Sequence, residues 1–205
     1  MAAKSLNELF VEELRDMYDG ENRLTKALPK MAKAAEHPEL QAAFASHLKE
    51  TQRQVKRLER VFRAVGETPR GKKCDGIIGI VEEGKHAMEE LDGAVLDAAL
   101  IAGAQKVEHY EIASYGTLAY FADLLGNDEA KNLLGETLDE EKAADRKLND
   151  IAKSRVNRDA LMAAGMDEEE GMRTRGSRVT AMDRPARNSA RRNGRSRTSA
   201  RSRRR

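Results

Sequence analysis

Apolar residues recur every three or four positions over five segments of the chain, the spacing of helices that bury one face. From Ser5 to about Ala35 the stripe is Phe10, Leu14, Met17, Leu24, Leu28 and Met31. Ser5 is placed to cap this helix, and Glu8, three residues on, completes a capping box. Pro29 lies inside the stripe, and because the period survives beyond it, a bend is expected rather than an end. Glu36-His37-Pro38 makes the turn into a second helix, about Pro38 to Val65, with Leu40, Phe44, Thr51, Val55, Leu58, Phe62 and Val65 inward and Gly66 as its C-terminal stop.

After a loop from Gly66 to Lys73, a short helix is predicted over Ile77 to Leu91, carrying Ile77, Ile78, Val81 and Met88. Two more long helices follow, about Gly93 to Leu125 and Glu129 to Arg155, with Gly126 closing the first and Asp128 placed to cap the second. The last has Leu134, Thr137, Leu138, Leu148 and Ile151 inward. Two helical hairpins joined by a long crossover make an all-α four-helix bundle with an extra short helix, in which the second and third long helices, about Pro38 to Val65 and Gly93 to Leu125, can run parallel.

The stripes are broken where they should be most apolar. Ile101, Ala104, Glu108, Glu111, Tyr115 and Leu118 fall on one face, so two carboxylates one turn apart point at the core. Glu21 interrupts the first stripe, Glu141 and Asp145 the last, and His47, Glu50 and Gln54 stack beside the second. Buried carboxylates need compensation by a cation, a metal or a shared proton. Acidic residues from four helices at one level are the pattern of a carboxylate-bridged di-metal site, with Glu21, Glu50, Glu108, Glu111 and Glu141 as its candidates. Such carboxylates neutralise two divalent cations while leaving positions open for oxygen or peroxide. Glu-x-x-His, the usual source of imidazole, is missing from the inward faces, and the second helix has His47-x-x-Glu50 instead. His47 fits either a ligand or an interface histidine, Gln54 and Asp145 can orient ligands through hydrogen bonds, and His109 points about 100° away from Glu108. Tyr115 reads as core packing and Cys74 as a structural thiol.

Charge changes this picture at one end only. Thirteen arginines against one aspartate give residues 173–205 a charge of +12, which leaves the rest of the chain at −10 of the total +2. With no aromatic residue, that segment cannot offset its ordering entropy and is expected to be a disordered basic tail. Counterion release would let it bind DNA or RNA without sequence preference. Residues 1–155 are thus expected to form the bundle, with 156–172 as an uncertain extension. No apolar run is long enough for a bilayer, and the start lacks a signal-like apolar stretch, so a soluble cytoplasmic protein is expected. The single cysteine fits a reducing compartment.

Four strings carry a family likeness: ELRDMYDGENRLTKALPK from Glu13, HLKETQRQ from His47, AQKVEHYEIASYGTL from Ala104 and LLGETLDEEKAADRKL from Leu133. Together they resemble the YciE/YciF family of ferritin-like bacterial stress proteins over about Leu6 to Ala152. The resemblance implies a ferritin-like bundle, a homodimer, and two Fe ions in a ferroxidase-type oxidoreductase, with the same five glutamates at the metals. The donor set also admits manganese and a catalase-like disproportionation of peroxide. A different class stays open: a metal-free scaffold whose inward carboxylates are protonated or paired, with the tail binding nucleic acid.

Overall fold

A computed structural model describes residues 4–163, and every regular element in them is helical. The elements are α1 (Leu6–Ala34), α2 (Pro38–Ala64), α3 (Asp75–Glu90), α4 (Gly93–Leu124), α5 (Asp128–Ile151), a π-helical turn (Ala152–Val156) and α6 (Asn157–Ala163). The basic tail at 173–205 and most of the extension before it lie outside the described residues.

Local chemistry sets the ends. Ser5 accepts from the Glu8 amide at 3.2 Å, as the capping box requires. Its other half differs: the Glu8 carboxylate accepts from the Lys4 amide, one residue upstream of the expected Ser5 amide. α1 runs through Pro29 to Ala34. Gly66 and Gly126 follow α2 and α4 with φ of 73° and 71°, left-handed values that a side chain would oppose. The cap of α5 is Asn127 and not Asp128: Asn127 keeps a non-helical backbone, and its side chain accepts from the Ala130 amide at 2.9 Å. Asp128 instead starts the helix, where its charge faces the positive end of the dipole. Past Ile151 the chain stays helical, and the π turn inserts Ala152 and Val156 into the core. The π turn breaks the 3.6-residue spacing, so these two buried residues fall outside the stripe that ends at Ile151.

α1 packs against α2 and α4, and α5 against α2 and α4, so the four long helices form a square with α2 and α4 on one diagonal. α3 lies outside, over α1 and α4. The core divides in two along the bundle axis. One apolar cluster joins Leu24, Leu28, Phe44, Ile101, Ala104, Leu148 and Ile151; the other joins Phe10, Leu14, Met17, Leu58, Phe62, Tyr115, Leu118 and Leu134. Each long helix contributes to both clusters, and between them each turns a polar side chain inward. No helix among the described residues is long and apolar enough to cross a membrane.

Candidate metal centre

The layer between the two apolar clusters consists of Glu21 on α1, His47, Thr51 and Gln54 on α2, Glu108 and Glu111 on α4, and Thr137 and Glu141 on α5, all buried. The placement is helical arithmetic: Met17, Glu21 and Leu24 share a face, as do Ala104, Glu108 and Glu111, so apolar neighbours above and below carry each carboxylate into the interior. One donor atom from each of His47, Glu108, Glu111 and Glu141 falls within 4.8 Å of all the others. His47 Nε2 is 3.3 Å from Glu108 Oε1 and 3.8 Å from Glu141 Oε2, while its Nδ1 is 3.4 Å from Glu50 Oε2. Glu21 sits beside this group, accepting a hydrogen bond from the Tyr115 hydroxyl. Gln54 donates to Glu141 and, at 3.0 Å, to Glu140.

This layer is short of positive charge. Burial and the charge of Glu141 push Glu21 from the ordinary 4.5 up to about 8. Glu108 is also pushed up to about 8, by burial and then by the charges of Glu21, Asp145 and Glu50, against a hydrogen bond to Glu141 that favours its charged form. Glu141 rises to about 9, chiefly through burial, and Glu111 is raised well above the carboxylate range by burial and by Glu21, Glu141 and Glu108. His47 is the one imidazole in contact. Burial favours its neutral ring, but the hydrogen bond with Glu50 and the charges of Glu141 and Glu21 outweigh that, so its pKa is raised.

Hydrogen bonding is short here as well. Glu21 Oε2, Glu108 Oε2, Glu111 Oε1, Glu141 Oε2 and Gln54 Oε1 are buried without a partner. Unpartnered acceptors are each costly, and five in one layer need a cation, protons or ordered water. Carboxylates with one imidazole suit iron, manganese or zinc. Divalent cations would answer both the missing charge and the missing partners, so the residues fit such a group. A cleft of about 180 Å³ lined by Phe44, Ala104, Ala144 and Leu148 leads to His47 and Glu108, with Glu50, Glu140 and Lys147 also on its walls.

The residues expected from sequence divide as follows. Glu21, Glu108, Glu111 and Glu141 are all in the buried layer. From α2 the side chain within the group is His47, whereas Glu50 is one-third exposed and bonds to the outer nitrogen of His47. Asp145 lies outside the group, 3.2 Å from Gln105 Nε2 and 3.5 Å from the exposed His109. Sequence reasoning missed Arg57. Its guanidinium donates to Thr137 Oγ1 and Glu140 Oε2, both at 2.8 Å, and to Glu136, binding α2 to α5 one turn beyond Gln54. Its place beside the inward Leu58 gives little warning, because an arginine flanking a core face ordinarily extends to solvent. Also missed was the chain Cys74 to Tyr110 to Asp16: the Tyr110 hydroxyl donates to Asp16 at 2.8 Å and lies 3.4 Å from the buried Cys74 sulfur, so the start of α3 is tied to α4 and α1.

Comparison with known proteins gives consistent relatives. Residues 5–161 match the family described as "Domain of unknown function (DUF892)". Protein YciF of Escherichia coli K12 is 46% identical over 162 residues, covering 78% of this chain and 98% of YciF. The crystal structure of the E. coli stress protein YciF superposes with a TM-score of 0.73 at 44% identity, over 76% of this chain and 99% of that one. YcfI of Rhodopseudomonas palustris gives 0.69 at 47% identity, over 71% and 94%. A Xanthomonas campestris protein at 20% identity and a TM-score of 0.61, covering 79% of this chain and all of that one, shares the fold. With the family match spanning the whole bundle and YciF aligned over nearly its full length, the chain belongs to the DUF892 family of YciF-like proteins.

Proposed function

We propose that the buried layer is a di-metal centre that binds iron and runs ferroxidase-type chemistry in oxidative-stress protection. One observation carries the proposal: four buried glutamates from three helices have oxygens with no hydrogen-bond partner, and a single buried imidazole faces them. Glu21, Glu108, Glu111, Glu141 and His47 would hold the ions. Ferrous ions bound there would supply electrons for the reduction of oxygen or peroxide.

The chain's own residues do the rest. Glu50 holds the outer nitrogen of His47 and so fixes which nitrogen faces the carboxylates, the usual carboxylate–histidine arrangement behind a metal. Tyr115 fixes one oxygen of Glu21 and Gln54 one of Glu141, leaving the second oxygen of each free. The two apolar clusters exclude bulk water above and below. Adding Fe²⁺ anaerobically to the metal-stripped chain and then admitting air should give a rise in near-ultraviolet absorbance that Glu111→Gln and Glu141→Gln diminish. Equal signals from wild type and both variants would defeat the proposal, and manganese-dependent release of oxygen from peroxide would redirect it to a catalase-like reaction.

The tail favours a second activity. Thirteen arginines in residues 173–205 would contact phosphates, and deleting them should abolish a steeply salt-dependent affinity for DNA or RNA. Unchanged nucleic-acid binding after deletion would remove the tail from the proposal. A cytoplasmic homodimer completes this reading, and sedimentation equilibrium tests the dimer directly.

A further inference from the structure

A second cavity lies on the other side of α1, away from the carboxylate layer's cleft. It is about 320 Å³, within the range of small-molecule sites, and α1, α3 and α4 enclose it. Leu24, Leu100 and Val107 form a buried floor, and Met31, Ile80 and Met88 are half-buried around it. Small residues create the space: Ala27, Ala99 and Gly103 stand where larger ones would close it, and a Cβ added at Gly103 would meet nothing within 4 Å.

The rim has one sign of free charge. Arg23 is neutralised by Asp19 at 2.5 Å and Lys85 by Glu82 at 2.9 Å. Lys26 and Lys30, one helical turn apart and exposed, make no ion pair among the described residues, so they are free to meet an anion. The outer wall can yield. α3 holds only Ile77 fully buried in its 16 residues and, beyond its tethered start, carries Gly79 and Gly84, each of which weakens a helix by about 1 kcal/mol relative to alanine.

The geometry points to a binding site for a long-chain carboxylate, its alkyl chain in the apolar cleft and its head between Lys26 and Lys30. The apolar floor excludes a polyanion, and the two free lysines attract an anionic head, repel a cationic one and give a neutral one no charge attraction. The site is independent of the metal proposal.

The test uses the full chain and a fluorescent dansyl-undecanoate probe displaced by a series of fatty acids. Wild type should bind one tetradecanoate per chain below its micelle concentration, with affinity falling about fourfold for each methylene removed. Lys26→Glu with Lys30→Glu should weaken tetradecanoate about tenfold and strengthen dodecyltrimethylammonium. Gly103→Leu, checked for native helix content by circular dichroism, should weaken both. No saturable binding, equal affinity for the cationic amphiphile in wild type, or insensitivity to both sets of substitutions would overturn the assignment. So would a Gly103→Leu chain that loses a dimer in sedimentation, since the cleft would then be an interface between copies.

Discussion

Stripped of metal, the protein should lose stability as pH rises from 5.5 to 8, the reverse of ordinary acid denaturation. Glu21 and Glu108 titrate near 8 and Glu141 near 9 in the fold, against 4.5 for an exposed carboxyl, and Glu111 is raised with them. A raised carboxyl pKa means the folded state keeps a proton that the unfolded chain has released. The stability from that difference is complete below about pH 4.5 and is lost as pH climbs through the folded values. Each such group contributes a slope of about −1.4 kcal/mol per pH unit. The four titrate as a joint set, and counting only two gives about 5 kcal/mol between pH 5.5 and 7.5, as large as the whole stability of many domains. His47, raised above the ordinary 6.5, adds the same sign above that pH. Glu12, Asp19, Glu50 and Glu82 are lowered, so their opposing effect falls below about pH 4.5, outside the window. Urea midpoints with a chelator present, measured across this range, read the slope directly. Glu111→Gln, which is neutral at every pH, should flatten it by about one group. A midpoint that stays level or climbs with pH would refute the electrostatic reasoning.

Other consequences can be checked by denaturation of the same material. Tyr115→Phe removes the donor to Glu21 and strands a buried oxygen, so it should cost about 1–3 kcal/mol in the metal-free protein. Arg57→Ala cuts the link to Thr137, Glu136 and Glu140 and should cost about 2–3 kcal/mol, read as a lower urea midpoint. Gly76→Ala places a Cβ 2.5 Å from the Tyr110 ring, which Asp16 tethers, and should cost about 1–3 kcal/mol with loss of amide protection concentrated in α3.

Much of the bundle was legible because its long helices obey one period. The stripes through Phe10 and Leu28, Leu40 and Phe62, and Leu134 and Ile151 all face the interior. Glu21, Glu108, Glu111 and Glu141 stood out because they occupy stripe positions. Glu50 and His47 were harder to order: three residues apart, they stack on one face, and the structure puts His47 in the layer and leaves Glu50 one-third exposed behind it. Asp145 sits one turn beyond Glu141 on the same helix face, yet its partners are Gln105 and His109. Caps depend on single backbone angles, which explains Asn127 for Asp128, and the π turn after Ile151 hides from any test tuned to 3.6 residues. The division of the core by a polar layer is a property of four helices in register, so no one segment displays it.

Whether metal completes the glutamate layer is tested most directly by calorimetric titration of the chelator-stripped chain with Fe²⁺ under anaerobic conditions, repeated in buffers of different ionisation enthalpy. Saturation is expected at about two ions per chain with protons released on binding, because ligand carboxyls held protonated in the apo fold must give them up. No saturable binding, or binding without proton release that survives Glu111→Gln combined with Glu141→Gln, would contradict a metal centre in this layer.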